Sequence, residues 1–436
     1  MLFLLACSGS VPGPSDTRAD DTAPAHDTGT SDERAVASGV WSFDSLAFEA
    51  SDADLAPLAD ITDGATLIGF GESIHYSGGY AQARARAIRY AVEALGYRAI
   101  GVEAPWFAAE TTRAYVVGEH DDLGAAVAGL TFGTWASAST GELLTFVRGW
   151  NEAHPDDTVE VFGFDIQGVW DDFPFLREVV TTVTPDEAAV LWEGVAGCAG
   201  GTYTSSADFT AGDFAYGLYT ADGTVYSKER LTTCLAGIDG LDAWVSAHSA
   251  DIAAAFDTDH VTRVQAAARS VRAIQLELRD PFSVEGYDAR DAGMADLVAL
   301  FHAERLNGRP TVLWAHNAHL RANSDDAEVQ PSGWVTMGTH LGDTFGDAYA
   351  PVALVAKRVD YDWNGSGVQT VRAGADSLEG ALGDLGPDLL LVDARTADLT
   401  QATTHYGAPD TATGVPADGF RGFMWLRESE TFEVFE

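Results

Sequence analysis

A chain of 436 residues with 46% hydrophobic content can bury a large core, as one big domain or two closely joined ones. Its formal net charge is −41, from 66 acidic against 25 basic residues, and Lys228 and Lys357 are its two lysines. That balance excludes nucleic acid, which needs a basic patch, and disfavours an anionic membrane surface; its plain role is solubility.

Met1–Ala6 is apolar, and Leu4-Leu5-Ala6-Cys7 resembles a bacterial lipoprotein box in which Cys7 is lipidated. No basic residue precedes it and the apolar run is short for a signal peptide, so either the true start lies upstream or the match is accidental. Residues 8–33 are rich in Asp, Thr, Ser, Pro and Ala, a composition that cannot bury enough apolar surface to fold and reads as an acidic tether. The expected layout is an anchor and tether over 1–34 and a folded body over 35–436. It implies an exported protein held at the bacterial cell envelope by lipid alone, since no later apolar run is long enough to span a bilayer. In an oxidising location Cys198 and Cys234 are expected to pair; two reduced structural cysteines are the alternative.

Within the body, strand and helix signals alternate, which predicts an α/β fold with a mostly parallel central sheet flanked by helices. Strands are expected at Thr66–Glu72, Arg98–Glu103, Val159–Asp165, Pro310–Ala315, Ala350–Val359 and Asp388–Val392. Helices are expected at Gly79–Leu95, closed by Gly96, then one opened by Pro105 at its first position, and at Gly141–Glu152. From about 173 to 306 helical patterns dominate, predicting a helical insertion.

Four strands end in ionisable residues: Glu72 and His75 in GESIH, Glu103 in VEAPW, Asp165 in GFDIQ, and His316 and His319 in WAHNAH. The carboxyl ends of parallel strands share one edge, where open α/β sheets bind ligands, so these groups are expected to converge. Taken singly, each has a plain structural alternative as a cap or a solvated loop residue. Arg84 lies on the apolar face of the helix after the first strand, with Glu72 and Glu103 as candidate partners; the alternative is an Arg that snorkels to water. A His beside carboxylates suits general-base activation of water, and a second His or Arg84 can stabilise an oxyanion. No G-x-S-x-G elbow is present, so Ser73 reads as a turn or capping residue. No cofactor is expected. A divalent metal on the His and Glu residues stays open, although no H-E-x-x-H or other compact metal motif occurs.

These blocks resemble the erythromycin esterase family. They come in family order: GESIH, Arg84, VEAPW, Thr134 to Asn151, GFDIQG, RDAGM from Arg290 to Met294, WAHNAH and Met337-Gly338. The resemblance implies an α/β core with a helical part and hydrolysis of a macrolactone by His-activated water, with antibiotic inactivation as a consequence. Carried over by position, His75 is the base, supported by Glu72, Glu103 and Arg84. His316 and His319 complete the pocket and bind or polarise the ester carbonyl. Asp165, Asn317 and Tyr76 join His319 as substrate contacts, and Trp135, Trp150 and Asn151 stand as structural supports near the site. The family usually has Gly where Tyr76 stands, and an acidic residue near Ser77-Gly78-Gly79, which leaves the identity of the ester open. The expected partner is a small-molecule ester. A metal-dependent hydrolase at the same site and a non-catalytic surface protein that binds a small molecule or glycan are the alternatives.

Overall fold

The computed structural model describes residues 34–168, 171–195, 228–277, 283–323, 333–399, 403–405 and 412–435. The acidic tether, Cys7 and Cys198 lie outside the described residues. Cys234, on α8 (Lys228–Ala255), is disulfide-bonded.

The expected parallel sheet is present. β3 (Leu67–Phe70), β4 (Ala99–Pro105), β5 (Glu160–Asp165), β6 (Thr311–Trp314), β7 (Tyr349–Tyr361) and β12 (Gly422–Ser429) run parallel in the order β12-β7-β3-β6-β4-β5. The sheet continues from β12 through β9 (Leu389–Asp393), β2 (Val40–Ser42) and β1 (Ala35–Ala37), all antiparallel, and β8 (Gln369–Arg372) folds back on β7. β10 (Thr403–His405) and β11 (Ala412–Gly414) form a separate hairpin. The strand expected at Asp388–Val392 is therefore β9, an antiparallel neighbour of a central strand, β12, that the sequence did not announce.

All four residues of β3 are buried, because helices cover both faces of the sheet. Successive side chains point to opposite faces. Leu67 joins Phe162 and Leu313 in one apolar cluster, and Ile68 and Phe70 join Val312 and Trp314 in the other. The second cluster takes α2 (Gly78–Glu93) and α5 (Ala138–Ala153); the first takes α6 (Asp172–Val183), α9 (Thr258–Glu277) and α10 (Val284–Leu300). The stretch expected to be helical holds α6, α7 (Pro185–Val195), α8, α9 and α10, and ends in a π-helical turn at Phe301–Arg305. No strand occurs there among the described residues. Pro105 closes β4 and caps α3 (Trp106–Val116) from outside, rather than sitting in its first turn.

Two features of register position the site. β6, more than two hundred residues after β4 in the chain, inserts between β3 and β4, so the tips of β3, β6, β4 and β5 are consecutive along one edge. β7 pairs with β3 only over Tyr349–Val352, and its remainder runs on past the β3 tip beside β12. After β12 the chain crosses the starts of α2 and α5: Thr431 bridges Ser77, Val434 bridges Ser137, and the Ser77 and Ser429 hydroxyls bond.

Candidate active site

The β3 tip turns sharply at Gly71, which donates to the Val352 carbonyl at 3.1 Å. Only glycine fits there, because a Cβ would stand 1.9 Å from Asn317 Oδ1. Asn317, which opens α11 (Asn317–Leu320), uses that space to stitch three strands. Its N–H donates to the Glu72 carbonyl at 2.8 Å, its Nδ2 donates to Leu354 O at 2.9 Å, and its Oδ1 accepts from Leu354 N at 3.3 Å. Through one N–H and the carbonyl oxygen its carboxamide bonds to the β7 backbone, so Asn317 ties the strand tips together.

Glu72 and Arg84 are each 2% exposed, and Glu72 Oε2 accepts from Arg84 Nη1 at 2.7 Å. Arg84 is also pressed against the rings of Trp314 and Trp135, 4.4 and 5.2 Å from their centroids. The Arg on the apolar face is therefore a buried ion-pair partner of Glu72; Glu103 acts on it only through its field. The other oxygen, Glu72 Oε1, meets His75 Nδ1 at 2.6 Å. Burial alone would push the Glu72 carboxyl up, but Arg84 and His75 together hold it below its usual range. The His75 ring is 23% exposed and has no hydrogen-bond partner at Nε2 among the described residues. It stands edge-on to Trp135 at 5.6 Å and 5.0 Å from the His316 ring.

The neighbouring tips form a second, deeper cluster. Glu103 Oε2 accepts from the His316 backbone N–H at 2.8 Å, and Oε1 accepts from Arg290 Nη2 at 3.1 Å. Arg290 also grips Asp165, through Nη2 at 2.6 Å and Nε at 3.3 Å. Burial opposes ionisation of Glu103, yet His319, Arg290, His75 and the His316 N–H bring its pKa down to about 2. His319 Nδ1 lies 2.9 Å from Asp291 Oδ1, which also accepts from Met337 N at 2.6 Å. Its Nε2 is 3.2 Å from Arg290 Nη1 and 3.4 Å from Glu103 Oε1. Burial disfavours a charged His319, but Asp291 and Glu103 outweigh both burial and Arg290 and raise its pKa. The 3.2 Å contact is a hydrogen bond only if Nε2 is unprotonated, since guanidinium has no acceptor. The geometry therefore describes the neutral ring, and the electrostatics favour a proton that Nε2 would share with Glu103.

His316 is occupied differently. As the cap of α11 its Nδ1 accepts from Ala318 N at 3.2 Å, so Nε2 is the protonated nitrogen and donates to Ser73 O at 3.0 Å. It positions the β6 tip against the β3 tip. Ser73 places its hydroxyl 2.8 Å from the Tyr80 hydroxyl instead of capping a helix. Trp135 donates to the Glu103 carbonyl at 2.6 Å. Asn151 and Trp150 bond to backbone at Val159 and Asp157, at the opposite end of β5. They do not belong to the site. Tyr76 lies on the rim with φ at 63°, in the left-handed region that suits glycine.

Residues 92–429 match the family model described as erythromycin esterase. The chain belongs to the erythromycin esterase family. The matched span holds Glu103, Asp165, Arg290, His316 and His319, while Glu72, His75 and Arg84 precede it. The chain is similar in fold to a protein from Bacillus cereus, with a TM-score of 0.73 at 16% identity over 92% of this chain and 97% of that one. It is similar to a succinoglycan biosynthesis protein, with a TM-score of 0.72 at 14% identity over 91% and 96% of the two chains. It is also similar to a His-to-Asn variant of erythromycin esterase EreC in its open conformation, with a TM-score of 0.70 at 18% identity over 90% and 98%.

Within this hydrolase family fold, Arg290, Asp291 and Glu277 are site residues that strand-end reasoning missed. Arg290 and Asp291 lie in RDAGM, a block matched to the family but on a helix. Glu277 accepts from Gln167 Nε2 at 2.9 Å, and burial drives its pKa up to about 7 against the pull of Arg290 and Gln167. Glu72 is shared by His75 and Arg84, Glu103 and Asp165 face Arg290, and among the described residues no group of three or more His, Cys, Asp or Glu side chains is placed to hold a metal ion. A wide surface depression of about 1000 Å³, lined by Phe48, Arg89, Glu142, Phe146 and Phe435 among others, lies apart from this cluster. The candidate site is the cluster, because it holds the buried, opposed charges.

Proposed function

We propose that the protein hydrolyses a carboxylic ester or macrolactone by direct attack of water, with His75 as general base. The observation that carries this reading is the 2.6 Å contact of His75 Nδ1 with Glu72 Oε1, on a ring that is 23% exposed beside a carboxylate that is 2% exposed. Glu72 accepts a hydrogen bond from Nδ1–H and fixes the tautomer, leaving the Nε2 lone pair for water. Arg84 keeps Glu72 ionised. Nε2 takes one proton as the water oxygen bonds to the carbonyl carbon. The bond to the alcohol oxygen then breaks, and that oxygen takes the proton back from Nε2. The products are one acid and one alcohol.

In the deeper cluster Arg290 is the cation whose field would act on the oxyanion. His316 and Asn317 hold the two strand tips in register. The strongly acidic surface favours neutral or cationic esters over anionic ones. A disulfide at Cys234 fits an exported protein, anchored through Cys7; palmitate labelling that is lost in Cys7→Ala is the expected sign of that anchor. Incubation of the purified protein with a panel of macrolides, lactones and simple esters tests the activity by mass. The expected result is a gain of one water on at least one member; an intact panel in the presence of folded protein contradicts the reading.

A further inference from the structure

Three aromatic side chains from distant parts of the chain meet beside His75. Tyr76 follows it directly, Trp363 lies just past β7 in the turn Trp363–Gly365, and Phe432 lies on the tail after β12. Tyr76 stacks on Phe432, with ring centroids 5.5 Å apart and planes within 15°, and presents an edge to Trp363 at 5.3 Å. Trp363 is 6.1 Å from the His75 ring and 49% exposed. Tyr76 adopts φ of 63°, a strained conformation for a bulky residue that persists only where surroundings hold it. Apolar packing of the Tyr76 ring alone does not require a half-exposed indole next to it. The extension of β7 beyond β3 is what carries Trp363 over the cleft.

We infer that Trp363, backed by the Tyr76–Phe432 stack, is a substrate-binding platform that selects esters carrying a flat aromatic ring on the acyl or alcohol side. This rests on the hydrolytic reading of His75. An indole face offers an offset or edge contact with a second aromatic ring worth more than its buried area, and a saturated ring of the same size lacks that term. A ring placed on Trp363 puts an ester group one or two bonds away beside His75. Tyr76, stacked on Phe432, meets the indole directly, so glycine at position 76 would leave the indole unsupported. The chemistry selected is that of an uncharged aryl ester, since the surrounding field opposes an anion.

The test separates binding from turnover by using paired ligands. Benzyl acetate and cyclohexylmethyl acetate are the substrates; N-benzylacetamide and N-(cyclohexylmethyl)acetamide are slowly hydrolysed isosteres for calorimetric binding. The cyclohexyl compounds are the more hydrophobic, so burial alone favours them. The expected result is an approximately fivefold to tenfold preference for the benzyl amide and the benzyl ester. For the ester it should be expressed in KM with kcat retained. Trp363→Ala should abolish the preference, and Trp363→Phe should keep part of it. Equal binding of the two amides, or a benzyl preference that survives Trp363→Ala, overturns the platform. If the amides discriminate through Trp363 while neither ester is hydrolysed, the platform stands and the hydrolytic reading falls.

Discussion

On the β3 side of the cleft one carboxylate, Glu72, serves a half-open base and a buried guanidinium; on the β4–β5 side one guanidinium, Arg290, serves two carboxylates and faces His319. The first arrangement leaves one ring nitrogen for the reaction. The second places most of its polar atoms against one another. A base needs access to water and an orienting partner, whereas a region that sets potential needs fixed charges shielded from water. In the proposed function this difference is a division of labour, with proton transfer in the β3 half and electrostatic support in the other.

Removing one member of each half should sharpen that contrast. The largest stability effect is expected for Arg290→Met, which leaves Glu103 and Asp165 buried without their cation and should cost about 3–5 kcal/mol by denaturant titration. A loss under about 1 kcal/mol would show that the deep cluster is less closed than its geometry suggests. Glu72→Gln keeps the shape but strands Arg84 and frees His75, so turnover should fall together with stability, whereas Asn317→Ala should cost about 1–3 kcal/mol through lost bonds to Leu354 and leave KM unchanged. A raised KM in folded Asn317→Ala would return that residue to the substrate.

Proton linkage gives a smaller effect with a defined sign. Glu72 and Glu103 ionise more readily in the fold, so their stabilisation is present above the ordinary carboxylate range and is lost on acidification, for Glu103 between about 4.5 and about 2. Asp172 and Glu277 behave oppositely. Burial raises them to about 8 and about 7, so the fold prefers them protonated and loses stability as pH rises from the usual carboxylate range through those values. Asp172→Asn keeps an acceptor for the Trp106 indole N–H, 2.8 Å away. It should raise the melting temperature more at pH 9 than at pH 5, and an equal change at both would refute a buried carboxyl as the cause.

The β3 half was legible because its contacts are local: Glu72 and His75 are three residues apart and Arg84 lies on the next helix. Convergence of Glu103 and Asp165 followed from parallel strands sharing an edge. Arg290, Asp291 and Glu277 were not legible as site residues, since nothing in helical periodicity says which turn of α10 or α9 meets the sheet edge. The insertion of β6 between β3 and β4, and the central place of β12, depend on long-range pairing that local pattern does not encode. Asn317 and His316 were carried over by position from the family resemblance; that their polar atoms also satisfy backbone groups at the strand tips appears only once the tips are brought together. Trp363 and Phe432 gave no signal because each lies in an irregular segment just past a strand, where no periodicity says what it will face.

The central claim is that His75, oriented by Glu72, activates the attacking water. The most direct test is kcat/KM of His75→Asn on an ester that the wild-type protein hydrolyses, with near-UV circular dichroism confirming the same fold. A fall of about a hundredfold to ten-thousandfold with an unchanged spectrum is the expected result; activity within about twofold of wild type, against the change of at least a hundredfold expected of a general base, would contradict it.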